Sequence, residues 1–149
     1  MTGVQTCALP ISWMESNEIL TATATIGTDL YRTELSARTH SIIGDEPVDV
    51  GGKDLGPRPG DFMRMALASC TAITLRMYAN RKQMDVQQIS VSVSSGPFDG
   101  KTTYYTDVQV KGNLSDEQEK RMLQIAKLCP VHKTLTNPIE VNTQLSIIV

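Results

Sequence analysis

The chain has 149 residues, of which 40% are hydrophobic and 20% charged, with a formal net charge of −2 and a pI near 5.6. These are ordinary globular proportions. The slightly acidic balance argues against a nucleic-acid binder, which presents a basic face. No run approaches the roughly 18 apolar residues of a membrane span.

Residues 1–13, MTGVQTCALPISW, carry no charge and no apolar periodicity. They read like the translation of a sequencing-adapter oligonucleotide and lack the basic start and longer apolar core of a signal peptide. They are expected to be a non-native leader, and Cys7 is set aside with them. Residues 14–149 are long enough for one domain with a real core. Two cysteines remain, Cys70 and Cys129. With no secretion signal, they point to the reducing cytoplasm, where paired thiols are more often catalytic, redox-active or metal-binding than structural.

The first predicted element is a strand over residues 18–26, EILTATATI, followed by a turn at Gly27-Thr28-Asp29. A second alternating strand runs from Leu30 to about Ile43. The Gly- and Pro-rich stretch GDEPVDVGGKDLGPRP, residues 44–59, then reads as a long loop. Over residues 60–82 the apolar positions Phe62, Met63, Ala66, Leu67, Cys70, Ile73, Thr74 and Met77 recur at helical spacing, with Cys70 at the centre of the stripe. Ile89, Val91 and Val93 alternate as a strand. A turn spans Gly96 to Gly100, and Tyr104 to Val110 alternates back as its hairpin partner. Ser115-Asp116-Glu117-Gln118 is a capping box. It opens a helix whose apolar face is Met122, Ile125, Ala126 and Cys129, with Pro130 as its stop. Ile139 to Val149 alternates as a closing strand. The order ββ-α-ββ-α-β predicts an α+β domain, a sheet covered by two helices.

Both cysteines fall on inward helix stripes, so packing of the two helices brings the thiols within disulfide reach. A buried helix-face cysteine is also ordinary packing. On this reading Cys129 sits at a helix C-terminus, where the dipole disfavours a thiolate, whereas Cys70 is mid-helix and needs a cationic neighbour. That assigns attack to Cys70 and resolution to Cys129. Cys129-x-x-His132 with Cys70 and His40 has a possible zinc spacing, but the paired Cys-x-x-Cys of strong zinc motifs is absent. No Walker loop and no GxGxxG is present, so no nucleotide cofactor is expected.

The stretch Gly56-Pro57-Arg58-Pro59 leading into Ala66-Leu67-Ala68-Ser69-Cys70-Thr71-Ala72 resembles the OsmC/Ohr family, as does Cys129-Pro130-Val131-His132. The resemblance covers residues 18–149 in the right order. It implies an intertwined homodimer with each site at the subunit interface, and cofactor-free reduction of organic hydroperoxides. It makes Cys70 the peroxidatic thiol, Cys129 the resolving thiol, and an external dithiol the reductant.

In the peroxidase branch an arginine follows the first strand and a glutamate follows the motif proline. Those positions here are Thr28 and Gly60. Asp61 can stand in for the glutamate. Arg32, Arg38 and Arg58 are candidates for the arginine, with Arg32 favoured and Arg64 and Arg76 poorer. Two rivals share the thiols: a binding module of the same fold without turnover, and a Cys-dependent hydrolase using Cys70 with His40 or His132.

Overall fold

The computed structural model describes residues 19–148. The leader 1–13 and Cys7 lie outside the described residues, as do position 18, where the first strand was expected to begin, and the final valine. The element order is β1 (Ala22–Ile26), β2 (Thr33–Ala37), β3 (His40–Gly44), α1 (Pro59–Arg81), β4 (Asp85–Phe98), β5 (Lys101–Asn113), α2 (Asp116–Ala126) and α3 (Pro130–Thr136). The α+β class is as expected. The chain forms two compact units, one holding residues up to Ala68 with Ser92–Asp107, the other Ser69–Val91 with Val108 onward.

In the first unit β1, β2 and β3 form an antiparallel sheet in that order. Residues 30–43 are therefore not one strand. Ala37 pairs with His40, leaving Arg38-Thr39 as a two-residue turn, and Arg38 adopts φ 55. Such turns normally announce themselves with glycine or asparagine, and an arginine gives no such signal.

The loop from β3 to α1 is organised by the buried Asp45. Its carboxylate accepts the backbone N–H groups of Glu46 at 2.8 Å, Lys53 at 3.2 Å and Leu55 at 3.1 Å. Burial raises its pKa, but these three donors and the Lys53 charge outweigh that and hold the carboxyl below its ordinary value. Glycines allow the close approach of the returning chain: a Cβ on Gly52 would strike the Glu46 carbonyl, and one on Gly56 the Ile43 carbonyl.

Helix α1 opens on Pro59, a residue preorganised for the first helical position. Asp61 reaches back to accept the Arg58 backbone N–H at 2.9 Å, satisfying a donor at the helix start as the third residue of a capping box does. The turn between β4 and β5 is Asp99-Gly100, with φ 49 and 70, the left-handed pair of a tight hairpin.

In the second unit the buried apolar residues are Leu75, Tyr78 and Ala79 of α1, Val86 of β4, Met122 and Ile125 of α2, and Cys129. Arg76 ties the helix to the start of β4 by donating to the carbonyls of Val86 at 2.7 Å and Gln87 at 3.3 Å. Ser115 and Gln118 form the expected reciprocal capping box.

Three expectations are corrected. The buried stripe of α1 runs through Leu67, Thr71, Thr74, Leu75, Tyr78 and Ala79, whereas Met63, Ile73 and Met77 are exposed. Apolar residues cover more than one face of this helix, so periodicity alone did not fix which face the chain buries. The second helix ends at Ala126, and Pro130 opens α3 instead of stopping α2. Residues 139–148 form no strand. Ile139, Val141, Leu145 and Ile147 stand exposed, and among the described residues no neighbouring strand supplies the hydrogen bonds a strand requires.

Candidate functional site

Cys70 and Cys129 are brought together in the second unit as free thiols. Cys70 lies in the middle of α1 and is partly buried, whereas Cys129 is fully buried. Cys129 is a neighbour of the Cys70 thiol and acts on its ionisation. The Val131 backbone N–H and the Thr74 side chain are further neighbours that act on its ionisation.

The local sequence accounts for each partner. Cys129 is the N-cap of α3 and Pro130 its first residue. Proline has no N–H, so Val131 supplies the first of the donors that a helix start leaves without an internal acceptor. Cys129 is thus at a helix N-terminus, not at the C-terminus expected from the sequence, and the dipole argument for its role falls. Thr74 lies one helical turn beyond Cys70 on the same side of α1 and is 6% exposed.

Burial pushes the Cys70 thiol up to about 11 from an ordinary 9.0, and the hydrogen bond to Cys129 adds to the rise. The Val131 N–H and the Thr74 hydroxyl act the other way, because both stabilise the thiolate. None of these groups carries a positive charge.

The other expected site residues lie in the first unit. Asp61 is held by two arginines: Arg58 donates to it from Nε and Nη2 at 3.4 Å each, and Arg64 donates from Nη2. Arg64 also donates to the Ser95 hydroxyl at 3.0 Å. The hydrogen bonds from the Arg58 side chain and backbone, with that from Arg64, bring the Asp61 carboxyl down to about 2. Arg32 pairs instead with Glu34 at 3.0 Å. The Asp61 clamp therefore uses Arg58 and Arg64. In the sequence, the angle of Arg64 to Cys70 makes it a poor partner for the thiol, whereas its i, i+3 spacing to Asp61 signals this pair.

Each unit also has an open cavity. One in the first, about 410 Å³, is lined by Leu35, Pro59 and Phe62 among others. That of the second, about 390 Å³, is lined by Leu75, Val110 and Met122 among others. Neither counts a cysteine among its lining residues. Among the described residues, no three of His, Cys, Asp and Glu gather closely enough to hold a metal ion. No described helix is long and apolar enough to cross a membrane.

Several solved structures share this fold. A candidate osmotic stress induced and detoxification response protein from Psychrobacter arcticus 273-4 matches at 25% identity and a TM-score of 0.66, over 80% of this chain and 90% of that one. An OsmC-like protein from Mycoplasma pneumoniae matches at 20% identity and a TM-score of 0.66, over 80% and 89%. The organic hydroperoxide resistance protein OsmC from Legionella pneumophila matches at 19% identity and a TM-score of 0.59, over 81% and 91%. No curated protein matches the sequence. The family model for OsmC-like proteins matches residues 51–144, more than half of the sequence and both cysteine motifs, and the chain belongs to that family.

Proposed function

We propose that this protein is a cofactor-free thiol peroxidase acting on organic hydroperoxides, with Cys70 and Cys129 as its two redox thiols. The observation that carries the reading is the neighbouring pair of free thiols, of which Cys70 is the less buried. The hydroperoxide resistance named for the Legionella pneumophila relative supports the substrate class.

In this reaction the Cys70 thiolate attacks the terminal oxygen of the hydroperoxide. The O–O bond breaks, the alkoxide leaves and takes a proton to become the alcohol, and the sulfur becomes a sulfenic acid. The Cys129 thiol then attacks that sulfur, a disulfide forms, and water is released. An external dithiol restores both thiols by two exchanges and is itself oxidised to a disulfide.

The proposed assay is loss of cumene hydroperoxide in the presence of dithiothreitol. Cys70→Ser abolishes it, and Cys129→Ser leaves one stoichiometric oxidation without recycling. Absence of hydroperoxide loss in the unmodified protein overturns the reading.

Asp61 and an arginine are proposed to orient and activate the thiolate. Arg32 is nearest in sequence to the vacant Thr28 position, and Arg58 and Arg64 are the arginines that hold Asp61. Whichever serves, its replacement by alanine raises the Cys70 pKa. The proposal extends to a cytoplasmic homodimer, supported by the exposed Met63, Ile73 and Met77 of α1 and the exposed Leu145 and Ile147. Its mass in dilute solution is then twice 16.3 kDa. A clean monomer at micromolar concentration removes the interface model.

One observation favours a second reading, a binding module that has kept the thiols without turnover. A thiol pushed up to about 11 is a poor nucleophile at neutral pH. Titration of Cys70 reactivity in the intact protein decides between the two.

A further inference from the structure

We propose that Met63 is a site of oxidative modification: an organic hydroperoxide converts its thioether to the sulfoxide, and the Tyr104 hydroxyl serves as the proton donor for that step. The inference goes beyond the two thiols and needs no turnover by either of them.

Two side chains of the first unit carry it. Met63, on the second turn of α1, is 48% exposed, so an oxidant reaches its sulfur from solvent. The Tyr104 hydroxyl of β5 donates to that sulfur at 3.9 Å, and Tyr104 is itself half-buried, which holds the hydroxyl in place. A thioether sulfur is a weak acceptor, so the hydroxyl gives up little when it turns away from it. A peroxide oxygen leaving as an alkoxide is a far stronger acceptor. The bond from Tyr104 thus strengthens along the reaction, and an interaction that strengthens toward the transition state accelerates the step.

In that step a sulfur lone pair attacks the terminal oxygen of the hydroperoxide. The S–O bond forms and the O–O bond breaks. Sulfur loses two electrons, and the hydroperoxide gains them and departs as an alkoxide, which takes the Tyr104 proton to become the alcohol. The proton left on the transferred oxygen returns to Tyr104 through solvent. The product is a polar sulfoxide that methionine sulfoxide reductases reverse, so the modification is an erasable mark on α1.

Trypsin leaves Met63, Met65 and Met77 as the single methionines of three peptides, residues 54–64, 65–76 and 77–81, the Arg58–Pro59 bond staying intact. Met65 and Met77 are as exposed as Met63, at 50% and 57%, and among the described residues no hydroxyl is hydrogen-bonded to either. They are therefore internal controls. The test is treatment of the unmodified protein with excess cumene hydroperoxide, without dithiol, followed by mass spectrometry of the three peptides. Met63 forms sulfoxide about three- to tenfold faster than Met65 and Met77, the rate equivalent of one ordinary hydrogen bond. Tyr104→Phe keeps the ring, removes the hydroxyl and brings Met63 down to the rate of the other two. Equal rates at the three methionines, protection of Met63 in the proposed dimer, or a Met63 rate unchanged by Tyr104→Phe each overturns the inference. The comparison within the unmodified protein decides by itself should the phenylalanine variant fail to fold. Fast Met63 oxidation without catalytic hydroperoxide loss keeps the Met63 site and removes the peroxidase reading; catalytic loss with equal methionine rates does the reverse.

Discussion

A Cys70 thiol pushed up to about 11 holds roughly one part in a thousand as thiolate at pH 8, against roughly one part in ten at its ordinary 9.0. Burial is the largest cause, and the hydrogen bond and charge of Cys129 supply the rest of the rise. Replacing Cys129 with alanine removes the second contribution and leaves the first. The Cys70 pKa therefore falls, and alkylation at pH 8 rises, by less than the roughly hundredfold that the whole rise from 9.0 to about 11 represents, since each unit of pKa is tenfold in thiolate. The assay is alkylation by iodoacetamide read by mass spectrometry on the Cys70-containing tryptic peptide of residues 65–76, followed from pH 7 to 10 in both proteins. A thermal melt of each protein separates this effect from simple loosening of the core. An unchanged or slower rate in the Cys129→Ala variant would refute the reasoning, because it would mean that Cys129 does not hold the Cys70 proton.

The same raised pKa links stability to alkaline pH. Its contribution is complete below about pH 9 and is lost as pH rises toward 11, because the unfolded chain releases this proton first. Urea unfolding across that window shows a decline that Cys70→Ala reduces. At the acid end the depressed Asp45 carboxyl works in the opposite sense: its contribution is present above about pH 4 and lost as pH falls through the lower folded value. Limited proteolysis of residues 46–56 accordingly speeds up in acid, and Asp45→Asn shows the same cleavage at neutral pH. Leu75 is fully buried, and Leu75→Ala costs about 2–5 kcal/mol in denaturant unfolding.

Much of this architecture was legible from local chemistry. Helix α1 announced itself by length and periodicity, the α2 start by Ser115 and Gln118, and the long loop by its glycines and prolines. What failed depended on partners that no local pattern encodes. Arg38 makes a turn in a conformation that glycine usually takes, so the split between β2 and β3 left no mark. Pro130 is compatible with ending one helix or beginning another, and only the cap geometry at Cys129 decides. The alternation over residues 139–148 is a strand pattern, yet a strand exists only beside another strand. The two cysteines were legible as a pair. The placing of Thr74 and Val131 beside the Cys70 thiol was not, because a tertiary neighbour leaves no local pattern.

The loop between β3 and α1 closes on itself. The Asp45 N–H donates to the Pro57 carbonyl at 3.2 Å, the Asp45 carboxylate gathers Lys53 and Leu55, and Gly56 lies against Ile43. The entry and exit of the loop are thus fastened to each other and owe little to its tip, in the manner of an Ω-loop. Such a segment behaves as a cassette. Lengthening it at the exposed Val48–Val50 turn adds only the slowly growing entropy of a longer closed loop, and the start of α1 keeps its anchor. A reporter peptide or a fluorophore site can therefore be installed there without altering the chain on either side, which gives this small domain a handle remote in sequence from its cysteines.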